Sequence, residues 1–235
     1  MIRSAIFNIV LFVSLSVYML FGLFLLPCST DVLYQYWFGF SRLFNFITKY
    51  VGGISYKIVN PQNVTDNNVI YAVRHESMWE TVFLISFFKK PVFIMKQELR
   101  EIPIFGLLSE KVNAIFVDRN QGMKALIDAS RKVSKSLKEG CQIVMFPEGT
   151  RLQPGEYVPL KRGIALFYKT NNCTVVPVVH NSGTFWSRRS FQKKPGEITV
   201  KFLDPIEPGL SQDEFMDKLN TAFRDELKNL NNQEK

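Results

Sequence analysis

From residue 69 onward, short runs of β-branched and aromatic residues alternate with segments of helical character, a pattern that predicts βα units and a largely parallel sheet. The pattern places strands over residues 69–73, 92–95, 114–117, 142–146, 174–179 and 198–203. Helices are expected over 78–88, 99–109, 123–138, 162–169 and 212–228. Upstream the pattern changes. Residues 5–27 are uncharged and mostly apolar over a length that can cross a bilayer as a helix. Residues 32–51 are rich in Tyr, Trp and Phe, with Arg42 and Lys49 interspersed. That composition suits a helix lying in the headgroup zone, and equally one packed on a core. The expected organisation is an N-terminal membrane-anchoring helical segment over 1–55 and an α/β domain over 56–235, with 60–68 as an ordinary loop.

Composition narrows the setting. A chain of 235 residues can bury a substantial core without disulfides or metals. Its three cysteines, Cys28, Cys141 and Cys173, are widely spaced, which fits a reducing compartment and no metal site. The net charge of +8 favours anionic partners: lipid headgroups, phosphorylated substrates or nucleic acid. The aromatics cluster in the apolar N-terminal region, which favours lipid over nucleic acid. A cleaved signal peptide is the rival reading of 5–27, but Arg3 is the only cation ahead of the apolar run and no small-x-small site follows. Arg42, Lys49 and Lys57 outweigh Arg3 and keep the body of the protein on the cytoplasmic face, that of the inner membrane if the source is bacterial.

The polar residues that stand out follow the predicted strands: His75 after the first, Lys96 after the second, Asp118 and Arg119 after the third, Glu148 and Arg151 after the fourth. Ligands of open parallel sheets bind beyond the carboxyl ends of the strands, so these residues can converge. His75 and Glu80 sit about 500° apart on a continuous helix and share no face, so His75 must precede the helix. Ser77-x-x-Glu80 has the form of a capping box that would begin the helix there. Two readings of Glu80 stand: it closes the box on the Ser77 N–H, or it reaches back and orients His75 as a general base. The run Phe146-Pro147-Glu148-Gly149-Thr150-Arg151 couples a turn glycine to a guanidinium suited to phosphate, or holds a surface ion pair. Lys161-Arg162-Gly163 reads as a basic helix start, and His180 as structural. The chain has no G-x-S-x-G turn, phosphate-binding P-loop, dinucleotide fingerprint or zinc spacing.

Taken together and in order, these motifs resemble the lysophosphatidic acid acyltransferase family, over roughly 68–204. His75 to Glu80 matches the family's H-x-x-x-x-D with glutamate in the last place. The second block lies around Lys96-Gln97-Glu98-Leu99, Pro103, Gly106 and Phe116 to Arg119, the third is Phe146 to Arg151, and the fourth Val176-Pro177-Val178. The resemblance implies acyl transfer from acyl-CoA or acyl carrier protein to the sn-2 hydroxyl of 1-acyl-sn-glycerol-3-phosphate, giving phosphatidic acid without a cofactor or a metal. His75 is then the general base and Glu80 its orienting acid. Arg119, Glu148, Gly149 and Arg151, with Lys96 and Lys161 behind them, form the phosphate and glycerol site, Glu148 holding a basic residue or the glycerol, and backbone N–H groups near Ser77 are an option for the oxyanion. A sister acyltransferase acting on glycerol-3-phosphate, another lysophospholipid or a lyso-aminolipid, and a non-catalytic lipid-binding relative, are the alternatives. Expected partners are membrane lipids, lysophosphatidic acid and the acyl donor.

Overall fold

The computed structural model describes residues 1–66 and 68–232; Asn67 of the expected loop and the last three residues of the expected domain lie outside them. Two long helices come first, α1 (Ile2–Leu23) and α2 (Thr30–Tyr50). The α/β part follows in the order β1 (Ile54–Val59), β2 (Val69–Val73), α3 (Trp79–Phe83), β3 (Pro91–Lys96), α4 (Phe105–Lys111), β4 (Ile115–Val117) and α5 (Gly122–Lys138). It closes with β5 (Gln142–Met145), α6 (Gly163–Asn171), β6 (Thr174–His180), α7 (Ser182–Phe185), β7 (Gly196–Phe202) and α8 (Gln212–Asn232). Among the described residues the strands form one seven-stranded sheet in the order β1-β7-β6-β2-β5-β3-β4. Every neighbouring pair is parallel except β6 with β7.

Alternation within the strands explains how the sheet is covered. Ile70 and Ala72 of β2 face one apolar cluster with Val133 of α5, Ile164 of α6 and Phe215 and Leu219 of α8. Val69, Tyr71 and Val73 face the opposite cluster, where Phe7 and Leu11 of α1, Phe44 of α2 and Phe83 of α3 lie. Side chains of a strand point alternately to the two faces, so a strand buried on both reads as a continuous apolar run, as β2 does.

Segment 1–55 packs on the α/β part. Phe7 and Phe44 pack against Trp186 at ring-centroid distances of 5.2 and 5.7 Å, tying both long helices to the chain after α7. β1 begins at Ile54, inside the expected anchor, and pairs with β7. The opposite face of α1 carries Ile6, Ile9, Phe12, Val13, Val17, Leu20 and Phe21 in exposed positions. By length and composition α1 is apolar and long enough to cross a membrane.

Two expected helices are broken. The 78–88 helix stops after α3 and continues as a 3₁₀ turn over Leu84–Ser86. The 99–109 helix is divided into a 3₁₀ turn over Gln97–Glu101 and α4, because Pro103 cannot donate a helical hydrogen bond and Ile104 adopts φ 66°.

Candidate active site

β2 ends by one extra ladder bond, from Arg74 N–H to the Val178 carbonyl at 2.8 Å, and the chain then turns across the carboxyl end of the sheet. His75 is pinned in that turn from both sides. Its N–H donates to Glu148 Oε2 at 2.8 Å, and its carbonyl accepts from Leu152 N–H at 2.8 Å. The imidazole stacks on Phe146, with ring centroids 4.1 Å apart.

Glu80 makes both contacts that its spacing allowed, to the Ser77 N–H and to the His75 ring. Oε1 accepts from His75 Nδ1 at 2.8 Å, and also from Ser77 N–H at 3.0 Å and Glu76 N–H at 3.1 Å. Oε2 accepts from the Ser77 hydroxyl at 2.7 Å and the Ser182 hydroxyl at 3.0 Å. Only half of the capping box forms, since Ser77 Oγ accepts from Trp79 N–H rather than from Glu80 N–H. Burial would push the Glu80 carboxyl up, but the His75 hydrogen bond, the two imidazoles and the Ser77 hydroxyl outweigh it and hold it at about 2. An ionised acceptor at Nδ1 makes that nitrogen the protonated one. Nε2 is then left with its lone pair and, among the described residues, without a protein partner, on a ring that lines the neighbouring cavity.

Behind the dyad lies a buried ionic block. The Arg74 guanidinium donates through Nε to Glu76 Oε1 at 3.0 Å and through Nη1 to Glu148 Oε1 at 2.6 Å. Nη2 donates to the carbonyls of Gln153 and Glu156. Glu76 Oε2 accepts from Gly183 N–H at 2.9 Å. His180 donates from Nε2 to the Arg74 carbonyl at 2.8 Å and accepts at Nδ1 from Ser182 N–H, the pattern of a structural histidine. Burial pushes the Glu148 carboxyl up, to about 7, against the pull of the Arg74 guanidinium and the His75 N–H.

The cavity in front of His75 encloses about 720 Å³. Lys96, Arg119, Gly149 and Arg151 line it, as expected of a common site, together with Arg188 and Arg189. Leu15 and Met19 of α1, Trp37 and Phe40 of α2, and Met78 and Ile85 supply apolar wall. Gly149 adopts φ 74°, and a Cβ there would come within 3.0 Å of Arg119 Nη1, which donates to the Gly149 carbonyl at 2.6 Å. Glycine is what allows the arginine to lie across the turn.

This geometry bears on three expectations. Glu148 does not face the cavity, because both its oxygens are spent on Arg74 and the His75 backbone. Lys161 is exposed and stands outside the lining, with its backbone N–H bonded to the Pro147 carbonyl. Of the backbone N–H groups near Ser77, those of Glu76, Ser77 and Trp79 are occupied by Glu80 and Ser77. Sequence reasoning missed Arg74, Ser182, Arg188 and Arg189. A cation directly continuing an apolar strand was the available signal for Arg74, and the basic doublet was that for Arg188 and Arg189. Nothing local marked Ser182.

Known proteins resemble this chain in sequence and in fold. A 1-acyl-sn-glycerol-3-phosphate acyltransferase of Pseudomonas aeruginosa is 32% identical over 154 residues, covering 66% of this chain and 60% of that protein. One from Cocos nucifera is 32% identical over 147 residues, covering 60% of this chain and 47% of that protein. The aligned part thus spans less than two thirds of either relative. The fold is that of the crystal structure of a 1-acyl-sn-glycerophosphate (LPA) acyltransferase from Thermotoga maritima, with TM-score 0.79 over 98% of this chain and 97% of that one at 21% identity. The sequence profile named Acyltransferase matches residues 55–181, more than half of the chain. That match runs from β1 through β6 and takes in His75, Glu80 and the whole Glu148 turn, and on this ground the chain belongs to the acyltransferase family.

Proposed function

We propose that this protein transfers a fatty acyl group from a thioester, acyl-CoA or acyl carrier protein, to the sn-2 hydroxyl of 1-acyl-sn-glycerol-3-phosphate, forming phosphatidic acid and a free thiol. One observation carries the reading: His75, its Nδ1 held by an ionised buried carboxylate, lines a cavity with cations at its rim and apolar wall from α1 and α2. The relatives' names support the acceptor.

The acceptor hydroxyl gives its proton to His75 Nε2 as its oxygen attacks the thioester carbonyl carbon. Glu80 steadies the resulting imidazolium, and general-base help of this kind supplies about 10²–10⁴ in rate. The tetrahedral intermediate collapses by breaking the C–S bond, and the leaving thiolate takes the proton back from the imidazolium. Negative charge on the carbonyl oxygen develops in a cavity lined by cations and by no carboxylate. Arg119 and Arg151 hold the lysolipid phosphate with Lys96 beside them, and the apolar wall takes an acyl chain. The exposed stripe of α1 contacts the bilayer, and Arg42, Lys49 and Lys57 favour its cytoplasmic face, where lipid substrate and product need not leave the membrane.

The test incubates the purified protein in vesicles with acyl-CoA or acyl carrier protein and a panel of lysolipids and glycerol-3-phosphate, following thioester loss. Turnover should be greatest with lysophosphatidic acid, and His75→Ala should lower it by about 10²–10⁴ while membrane binding persists. Absence of turnover with every acceptor and both donors overturns the reading in favour of a lipid-binding protein. Preference for another acceptor overturns the substrate but keeps the chemistry.

A further inference from the structure

Five cations line the cavity: Lys96, Arg119, Arg151, Arg188 and Arg189. Among the described residues no aspartate or glutamate lines it, and none of the five takes part in an ion pair. Arg119 and Arg188 each spend one N–H on a backbone carbonyl, and Arg151 Nε is buried with no partner at all. A guanidinium offers five donors, so most of this donor capacity is unspent. One phosphate monoester carries at most two negative charges and is matched by two or three of these residues. The remainder calls for a second anion.

The order of the sheet separates the cations into two groups. His75 follows β2, and Lys96 and Arg119 follow β3 and β4 on one side of it. Arg188 and Arg189 follow β6 and α7, on the other side. Arg151, after β5, joins the groups, because its carbonyl accepts from Arg188 Nη1 at 3.1 Å. The second group is anchored to the catalytic support: Ser182, which holds Glu80, opens α7, and Ser187 Oγ donates to the Gly183 carbonyl at 2.7 Å just before the doublet. Arg189 is held at φ 59°, a conformation unfavourable for a side chain with a Cβ.

We propose that Arg188 and Arg189 form the subsite for the phosphate of the donor's phosphopantetheine arm, leaving the acceptor's phosphate to Lys96, Arg119 and Arg151. This assignment rests on the acyl-transfer reading, since that reaction must bring two phosphate-bearing substrates to opposite sides of one base. The pantetheine-linked phosphate is common to coenzyme A and to a carrier protein, as a pyrophosphate in one and a phosphodiester in the other.

The test uses the full chain in neutral vesicles and measures binding of coenzyme A, holo-carrier protein and phosphate-free pantetheine, beside the KM of each substrate. Replacing the doublet with glutamine (Arg188→Gln with Arg189→Gln) should weaken coenzyme A or carrier-protein binding and raise the donor KM by about tenfold or more, with pantetheine binding altered less than about twofold. Arg119→Gln should instead raise the acceptor KM. Arg188→Lys with Arg189→Lys, which keeps both charges, should recover part of the donor affinity and guards against a folding defect. Loss with the carrier protein alone, or with coenzyme A alone, names the donor and keeps the subsite. Unchanged donor binding, or an acceptor KM that rises as much as the donor KM, overturns it. So does an effect confined to anionic vesicles, because exposed Phe191 and the bond from Asn8 of α1 to its carbonyl make lipid the competing contact. Coenzyme A binding that depends on the doublet without turnover on any acceptor overturns the proposed function and keeps the subsite. Turnover with doublet-independent donor binding does the reverse.

Discussion

The two sides of His75 use the same residue type in opposite ways. Behind it, Arg74 is wholly buried, and its guanidinium is matched by Glu76, Glu148 and two carbonyls. In front of it, the cavity arginines have no carboxylate partner among the described residues. A buried charge must be matched within the fold, because desolvating it alone costs several kcal/mol. Cations at an open cavity can be left to water and ligand. The paired arginine therefore holds the His75 turn in place, and the unpaired ones keep donors open to water or a ligand.

The contrast can be broken most severely at Arg74. Arg74→Met removes the shared partner of Glu76 and Glu148 and should destabilise the protein by about 3–5 kcal/mol in thermal or denaturant unfolding. A loss below about 1 kcal/mol would mean that the block is no more structural than the cavity rim.

Glu80 comes next, because it belongs to the buried side and acts on the open one. Glu80→Gln should lower kcat by about 10² or more, since the amide cannot steady an imidazolium. It also has a pH signature. The carboxyl is held at about 2, below its usual value near 4.5, so its stabilisation is fully present above pH 4.5 and is lost as pH falls through 2. That contribution amounts to about 3 kcal/mol, and Glu80→Gln should remove it from the acid limb of the stability curve. Intact turnover with a lowered melting temperature would leave Glu80 as a helix cap only.

Ser182 sharpens the comparison with a smaller effect. Its hydroxyl accounts for one of the bonds to Oε2 of Glu80, so Ser182→Ala should cost about 1 kcal/mol of stability. Its effect on turnover should fall on kcat, with the acceptor KM changed less than about twofold. A rise in KM instead would place Ser182 on the ligand side.

Much of the fold was legible in local pattern. β2 was visible as five apolar residues, and the basic and acidic residues at strand ends lay where a parallel sheet gathers them. β1 was missed because Ile54–Val59 follows the aromatic run of α2 directly, with Lys57 in the middle, and is completed only by pairing with β7 some 140 residues later. The broken 99–109 helix was legible in Pro103, whose missing N–H gave the warning.

The candidate site divides along the same line. The His75 to Glu80 contact spans five positions and could be argued from helix geometry, because the Ser77 cap brings the carboxylate back to the turn. The identity of the partner of Glu148 could not, since Arg74 is 74 residues away. By itself, the sequence determined which residue types stand at the strand ends and how they repeat along the elements, since these depend on neighbours a few positions apart. Only the tertiary structure decided which charges are paired and which are left open, because pairing depends on what burial brings together from distant parts of the chain.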